Sequence, residues 1–191
     1  MYHIIKRLLD ALFSLTGLIL LSPLFLIFII CIKAESKGPA FFSQKRIGRN
    51  HKHFFIYKFR TMRIDTPNDV PTHLLKNPEA YVTKVGRFLR RASLDELPQL
   101  LNILRGEMSI VGPRPALWNQ YDLVRMRENC GANKIRPGLT GWAQVNGRDD
   151  LPIPIKVRFD GEYVEKMSLA FDWKIIRMTL RKIPTGEGVK Q

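Results

Sequence analysis

A chain of 191 residues has room for one compact domain plus an added membrane element or tail, which argues against a second full domain. Lys and Arg outnumber Asp and Glu by 31 to 17, for a net charge of +14, so its partners are expected to be anionic: lipid headgroups, nucleic acid or phosphorylated substrates. Cys31 and Cys130 form no CxxC pair, and the four histidines, including the HKH at 51–53, form no HExxH arrangement. These absences argue against a zinc or dithiol centre and suggest a reduced, cytosol-facing globular part.

The first element is apolar. Ala11 to Ile32 is a run of 22 residues without a charge, about 33 Å as a straight helix and long enough to span a bilayer. A cleaved signal peptide fits poorly, because the run is long and Lys33, Ala34, Glu35, Ser36 is a poor cleavage site. Ser22-Pro23 lies at its centre, where Pro23 lacks an N–H and crowds the carbonyl of Ile19, so a kink or break is expected. Lys6 and Arg7 precede the run, and Lys33, Lys37, Lys45, Arg46 and Arg49 follow it. The positive-inside preference therefore holds both ends on the cytoplasmic side, and a helix that breaks and returns satisfies both flanks. A spanning helix stays open on these arguments, since transmembrane helices tolerate proline.

After Gly38-Pro39 the chain reads as one polar, basic unit without repeats. Residues 53–60 (HFFIYKFR) predict an aromatic-rich strand, and 64–80, with Pro67, Pro71 and Pro78, a surface loop. Leu94, Leu97, Leu101 and Leu104 recur at helical spacing before Gly106, predicting a helix over 94–104. In 135–148 (IRPGLTGWAQVNGR), Pro137-Gly138 suits a type II turn and Asn146-Gly147 a tight turn with positive φ. Toward the end, Lys174, Arg177 and Arg181 share a helical face apart from Ile175, Ile176, Leu180 and Ile183. That is a basic amphipathic pattern, which surface helices packed on a core also show.

Adjacent Asp95 and Glu96 in RRASLDELPQ form the sharpest chemical cluster. Ser93 with Glu96 three residues on also fits a capping box, in which both acids merely dress a helix N-terminus. Arginine density exceeds what a cap needs: Arg90, Arg91, Arg105 and Arg114 can seat phosphates and keep a carboxylate ionised. In Gly112-Pro113-Arg114-Pro115 the prolines stiffen the backbone that presents Arg114, which suits phosphate recognition. Lys58, Arg60 and Arg63 of KFRTMR add cations at a strand end.

Three segments in order, FSQKRIGRNHKHFFIYKFRTM, KVGRFLRRASLDELPQLLNILRGEMSIVGPRP and IRPGLTGWAQVNGR, resemble the bacterial sugar transferase family of monotopic phosphoglycosyl transferases. The resemblance runs from the apolar segment to about Lys182. It implies an α+β fold: residues 1–36 as a re-entrant membrane helix broken at Ser22 and Pro23, then 37–191 as a small, mainly helical catalytic domain with short strands and interfacial amphipathic helices. Its implied place is the cytoplasmic face of the bacterial inner membrane. It further implies transfer of a sugar 1-phosphate from a nucleoside diphosphate sugar, a UDP-sugar by expectation, to polyprenyl phosphate with release of UMP. Asp95 would be the nucleophile that attacks the β-phosphate, and Glu96, with Asp95, would hold Mg²⁺. Lys58, Arg90 and Arg114 would bind phosphate oxygens, with Arg136, Trp142 and Arg148 as nucleotide contacts. A departure from the family pattern is Glu162 before Tyr163, where similar proteins often carry an adjacent aromatic pair.

The competing class is a membrane-tethered basic module that binds nucleic acid or anionic lipid, but no known nucleic-acid motif is present and no nucleic-acid partner is expected. A sugar-only glycosyltransferase would release UDP, and the sequence has no DxD motif. The sugar, the pathway, a homo-oligomeric state and the tail after Ile183 are left open by the sequence.

Overall fold

The computed structural model describes residues 1–66, 78–147 and 151–182. Ser22-Pro23 divides the apolar segment into α1 (Tyr2–Leu20) and α2 (Ser22–Glu35), bent by 60°. Pro23 falls in the first turn of α2, where its missing N–H would have no helical partner. The orphaned Ile19 carbonyl accepts a hydrogen bond from Ser22 Oγ at 2.8 Å. The Ser-Pro pair therefore makes the break and also satisfies it. Among the described residues no single helix is long and apolar enough to cross a membrane, whereas the bent pair together reaches that length and composition.

Helix α1 has the opposite polarity to a helix packed on a water-soluble domain. Its inward face is polar: buried Asp10 accepts from Ser109 Oγ at 2.7 Å and from the Ile110 N–H at 3.1 Å. Arg7 donates to the carbonyls of Ile103 and Leu104, and Lys6 pairs with buried Asp172 at 2.7 Å. Its outward face carries Ile4, Leu8, Leu12, Leu15 and Ile19, all exposed. Water would penalise this arrangement and hydrocarbon would favour it.

Strand β1 (Phe41–Ile47) pairs antiparallel with β2 (His53–Phe59), the strand expected at 53–60. Thr83 caps α3 (Lys84–Arg91) by accepting from the Gly86 N–H, and Glu35 at the end of α2 accepts from the N–H groups of Lys84 and Val85. Of the loop expected at 64–80, residues 67–77 lie outside the described residues; Pro78–Ala80 forms a 3₁₀ turn, and Met62 bridges Val82. The helix expected over 94–104 is instead a 3₁₀ segment, Leu94–Gln99, followed by α4 (Leu100–Arg105). Pro98 explains the change, since its missing N–H and its ring disfavour continuous α-helix. Gly106 ends α4 with φ 83°, as the sequence predicted.

Beyond α4 lie β3 (Ser109–Val111) and β4 (Ala116–Leu117), then α5 (Tyr121–Glu128) and β5 (Gly138–Thr140). The sheet order is β2-β1-β4, and β3 pairs in parallel with β5. The type II turn expected at Pro137-Gly138 is absent, because Gly138 is a strand residue without positive φ. What demands glycine there is close backbone approach: a methyl group on Gly138 would sit 2.1 Å from the Gly112 nitrogen. The positive φ expected at Asn146-Gly147 falls on Gly147 alone. The chain continues through α6 (Trp142–Val145), α7 (Ile153–Lys166) and α8 (Leu169–Lys182). Lys174, Arg177 and Arg181 are exposed on α8 beside exposed Trp173 and Leu180, while Ile175 is buried with Val111, Val145 and Tyr163. Of the apolar residues set apart from the basic face, Leu180 is exposed and Ile183 lies outside the described residues.

Candidate active site

Strand alternation aims Lys58. Phe54 and Ile56 face the core with Ile103 and Met108, so Lys58, next in that row, lies against the 3₁₀ segment Leu94–Gln99. Its neighbour Phe59 turns the other way, onto Phe28, Ile32 and Leu89. One strand thereby packs on α2 and α3 and supplies a cation to the acidic residues.

Ser93 occupies the left-handed region, φ 55° and ψ 23°, in the reversal between α3 and the 3₁₀ segment. An ordinary residue visits that region rarely, so the surrounding fold must stabilise the turn. The capping box fails here: Ser93 makes no side-chain cap bond, and Glu96 points to cations rather than back to the helix start. Lys58 Nζ meets Glu96 Oε1 at 2.6 Å, and Arg114 Nη2 meets the same oxygen at 2.8 Å.

The two neighbouring acids are treated unequally. Burial alone would raise the Glu96 carboxyl, but Arg114 and Lys58 outweigh it and hold Glu96 well below the usual carboxylate range. Asp95 is also buried, yet its nearest cation, Lys58 Nζ, stands 4.0 Å from Oδ2. Burial, assisted by the charge of Glu96, raises its carboxyl against the pull of Lys58, Arg90 and Arg114. Glu96 is a permanently ionised anchor, and Asp95 is a carboxylate poorly compensated by hydrogen bonds. That is the condition expected of a nucleophile beside anion-binding groups.

The structure brings Asp95, Glu96, Lys58, Arg90 and Arg114 together, drawn from β2, α3, the 3₁₀ segment and the GPRP turn. Arg136 is placed with Arg7 and Arg49 near the end of α4, where its Nε donates to the Gly106 carbonyl at 2.9 Å. Trp142 begins α6, packs against Phe159 and Phe171, and donates from Nε1 to Glu162 Oε2 at 2.9 Å. The Glu162 that departs from the family pattern therefore holds the indole in place. Arg148 lies outside the described residues.

Mg²⁺ commonly binds through one or two carboxylates plus substrate phosphates, and adjacent Asp95 and Glu96 match that donor chemistry. Among the described residues no group of three or more acidic, His or Cys side chains forms a larger metal cage.

Two supporting residues, Asn102 and Arg127, escaped the sequence reading, and Arg60, read there as a strand-end cation, has a different task. Asn102, fully buried, accepts from the Tyr57 N–H and donates to the Phe55 carbonyl, completing the free edge of β2 beside Lys58. Arg60 donates to the carbonyls of Ser36 and Lys37, tying the end of α2 to that strand. Arg127 forms a buried pair with Asp160. A polar residue at helical spacing among leucines is the only sequence sign of Asn102, and Arg127 carries none.

Comparison with known proteins gives a consistent assignment. The model of the bacterial sugar transferase family matches residues 1–186. The chain is 40% identical over 188 residues to the uncharacterized sugar transferase EpsL of Bacillus subtilis, covering 98% of this chain and 91% of that one. It is also 40% identical to the exopolysaccharide production protein ExoY of Sinorhizobium fredii, covering 96% of this chain and 87% of that one. A third relative, the UDP-glucose:undecaprenyl-phosphate glucose-1-phosphate transferase of Escherichia coli, is 40% identical over 94% of this chain but only 40% of its own length. This chain therefore corresponds to one part of that longer protein. On the whole-chain family match and these identities, the protein belongs to the bacterial sugar transferase family.

Proposed function

We propose that this protein transfers a sugar 1-phosphate from a UDP-sugar to polyprenyl phosphate at the cytoplasmic face of the bacterial inner membrane and releases UMP. The observation that carries this reading is the unequal treatment of Asp95 and Glu96 within one cluster of cations. In the proposed sequence the Asp95 carboxylate attacks the β-phosphorus of the donor. An aspartyl O–P bond forms, and the bond to the nucleoside monophosphate breaks. A phosphate oxygen of the polyprenyl carrier then attacks the same phosphorus, transfers the sugar phosphate and regenerates the carboxylate. Lys58, Arg90 and Arg114 neutralise the phosphate oxygens, with Arg114 and Lys58 moving part of their hydrogen bonding from Glu96 to substrate. Bound at Asp95 and Glu96, Mg²⁺ would supply charge neutralisation on the diphosphate.

The membrane part of the proposal rests on α1 and α2. A 60° bend, cationic flanks and an outward apolar face on a polar-seated helix support a hairpin that enters and leaves one leaflet. A water-soluble donor and a membrane-held acceptor suit a two-step reaction, because the enzyme charges from the cytosol and discharges at the bilayer. Product identity tests the reading. Purified protein in polyprenyl-phosphate vesicles, given a panel of UDP-hexoses and UDP-N-acetylhexosamines, should release UMP; release of UDP would make it a sugar-only transferase.

A further inference from the structure

The GPRP turn presents Arg114 on a backbone with few donors, because neither Pro113 nor Pro115 has an N–H. Its three carbonyls carry the fixation instead. The Pro113 oxygen accepts from the Gly138 N–H at 2.9 Å, the Arg114 oxygen from Arg127 Nη1 at 3.0 Å, and the Pro115 oxygen from Arg46 Nη1 at 3.0 Å. These donors come from β5, α5 and β1, so three separate elements hold the turn.

Arg127 is the most committed of them. Its side chain is 7% exposed, and Asp160 on α7, at 2% exposure, accepts from its Nε at 2.8 Å and its Nη2 at 2.7 Å. Both bonds end on the one oxygen Oδ2 and pin the Nε–Nη2 edge of the guanidinium, and the remaining nitrogen donates to the Arg114 carbonyl. At the far end of the same residue, the Arg114 guanidinium contacts Glu96. A continuous polar chain thus runs from Asp160 through Arg127 and the Arg114 backbone to the acidic pair.

We propose that Arg127, oriented by Asp160, is a positioning residue for the transfer reaction and acts by fixing the backbone from which Arg114 reaches the donor diphosphate. This rests on the proposed role of Arg114. Arg127 itself touches no substrate. A buried ion pair can often be exchanged for apolar side chains without unfolding the protein, whereas removing one partner strands a charge. The informative variant is therefore the double exchange Arg127→Met with Asp160→Leu, which deletes the donor to Arg114 and leaves no unpaired buried charge.

The assay uses the full chain in polyprenyl-phosphate vesicles with whichever UDP-sugar of the panel the native enzyme turns over fastest. The double exchange should keep the native circular dichroism and a cooperative thermal transition while kcat/KM for the donor falls about 10- to 100-fold, the range seen when supporting residues are removed. On an Arg114→Met background the same exchange should cause little further loss, because its effect passes through Arg114. A merely structural pair would give multiplicative losses in the two backgrounds. Arg127→Lys with Asp160 intact should recover only part of the activity, since an ammonium cannot hold Asp160 and still reach the carbonyl. Unchanged kcat/KM in the folded double exchange, with Arg114→Met impaired, would overturn the positioning role alone. Full activity of Arg114→Met would overturn the active-site reading and this inference with it. If the double exchange fails to fold, Asp160→Asn, which keeps one acceptor for Arg127, must show the same dependence on Arg114, and its absence would overturn the inference.

Discussion

The reversed polarity of α1 makes a paired prediction about its two faces. On the inner face, Asp10→Ala strands the Ser109 hydroxyl and the Ile110 N–H, which Asp10 holds at 2.7 and 3.1 Å in a buried site. Each orphaned group costs about 1–3 kcal/mol, so a mid-range total for the two is about 4 kcal/mol, or a Tm loss of about 8–16 °C for a chain of this size. On the outer face, Leu8, Leu12, Leu15 and Ile19 are 65%, 57%, 47% and 64% exposed. About half of each side chain is left for lipid, so exchanging all four for Gln removes about 3–6 kcal/mol of apolar transfer. That corresponds to a fall of about 10²–10⁴ in membrane partition. Thermal unfolding in detergent micelles reads the first change, and flotation with liposomes reads the second. Asp10→Ala should lower Tm and still float, whereas the fourfold Gln variant should keep its Tm and stop floating. A fourfold variant that floats like the native chain, or an Asp10→Ala chain with native Tm, would refute the assignment of the two faces.

The other predictions concern the hairpin, the acid pair and the metal. Pro23→Ala restores the N–H opposite Ile19, so the bend should straighten and the N-terminus should become reachable from outside intact cells by labelling a cysteine at position 3; labelling only from the cytoplasmic side would count against the proline as the cause of re-entry. Asp95 has a raised carboxyl in the fold, so the folded state holds its proton more tightly than the unfolded one. Its stabilising linkage is complete below the ordinary carboxyl pKa of 3.8 and is lost as pH rises through the raised one. Asp95→Asn should therefore raise Tm at pH 7 in metal-free protein, with the gain vanishing near pH 3.8. Glu96 has the opposite sign: its linkage is present above the ordinary glutamate pKa of 4.5 and is lost as pH falls through the lowered one. Glu96→Gln should cost about 1.5–3 kcal/mol at pH 7 by removing the carboxylate charge that Lys58 and Arg114 face, and calorimetry at pH 7 and near pH 3.8 checks both signs. Stripping tightly bound metal with EDTA should abolish turnover and added Mg²⁺ restore it, whereas full activity in EDTA would remove the metal from the mechanism.

The local parts of this site were readable in the sequence. Asp95, Glu96 and Arg114 stand in short motifs and Lys58 at the end of an expected strand, while their roles came from the family resemblance. What the sequence hid depends on contacts between distant segments. Lys6 and Arg7 read as flanking topology signals, yet they seat α1 on Asp172 and on the end of α4. Asp10, just before the apolar run and given no role from the sequence, is a buried anchor of α1. The capping box at Ser93 and Glu96 matched by spacing and failed because tertiary cations compete for Glu96 more strongly than a helix start does. Strands β3 and β5 have three residues each, too short for alternation to register, and Gly138, which suggested a turn, serves close backbone packing.

The central claim is that Asp95 carries the sugar phosphate between donor and acceptor. Protein incubated without polyprenyl phosphate, but with donor labelled in the β-phosphate, should release about one UMP per enzyme and retain the label. After quenching, peptide mass spectrometry should place that label on Asp95, and addition of polyprenyl phosphate before the quench should remove it. Label on another residue, or an Asp95→Asn enzyme that still turns over with amide hydrolysis excluded, would contradict the account.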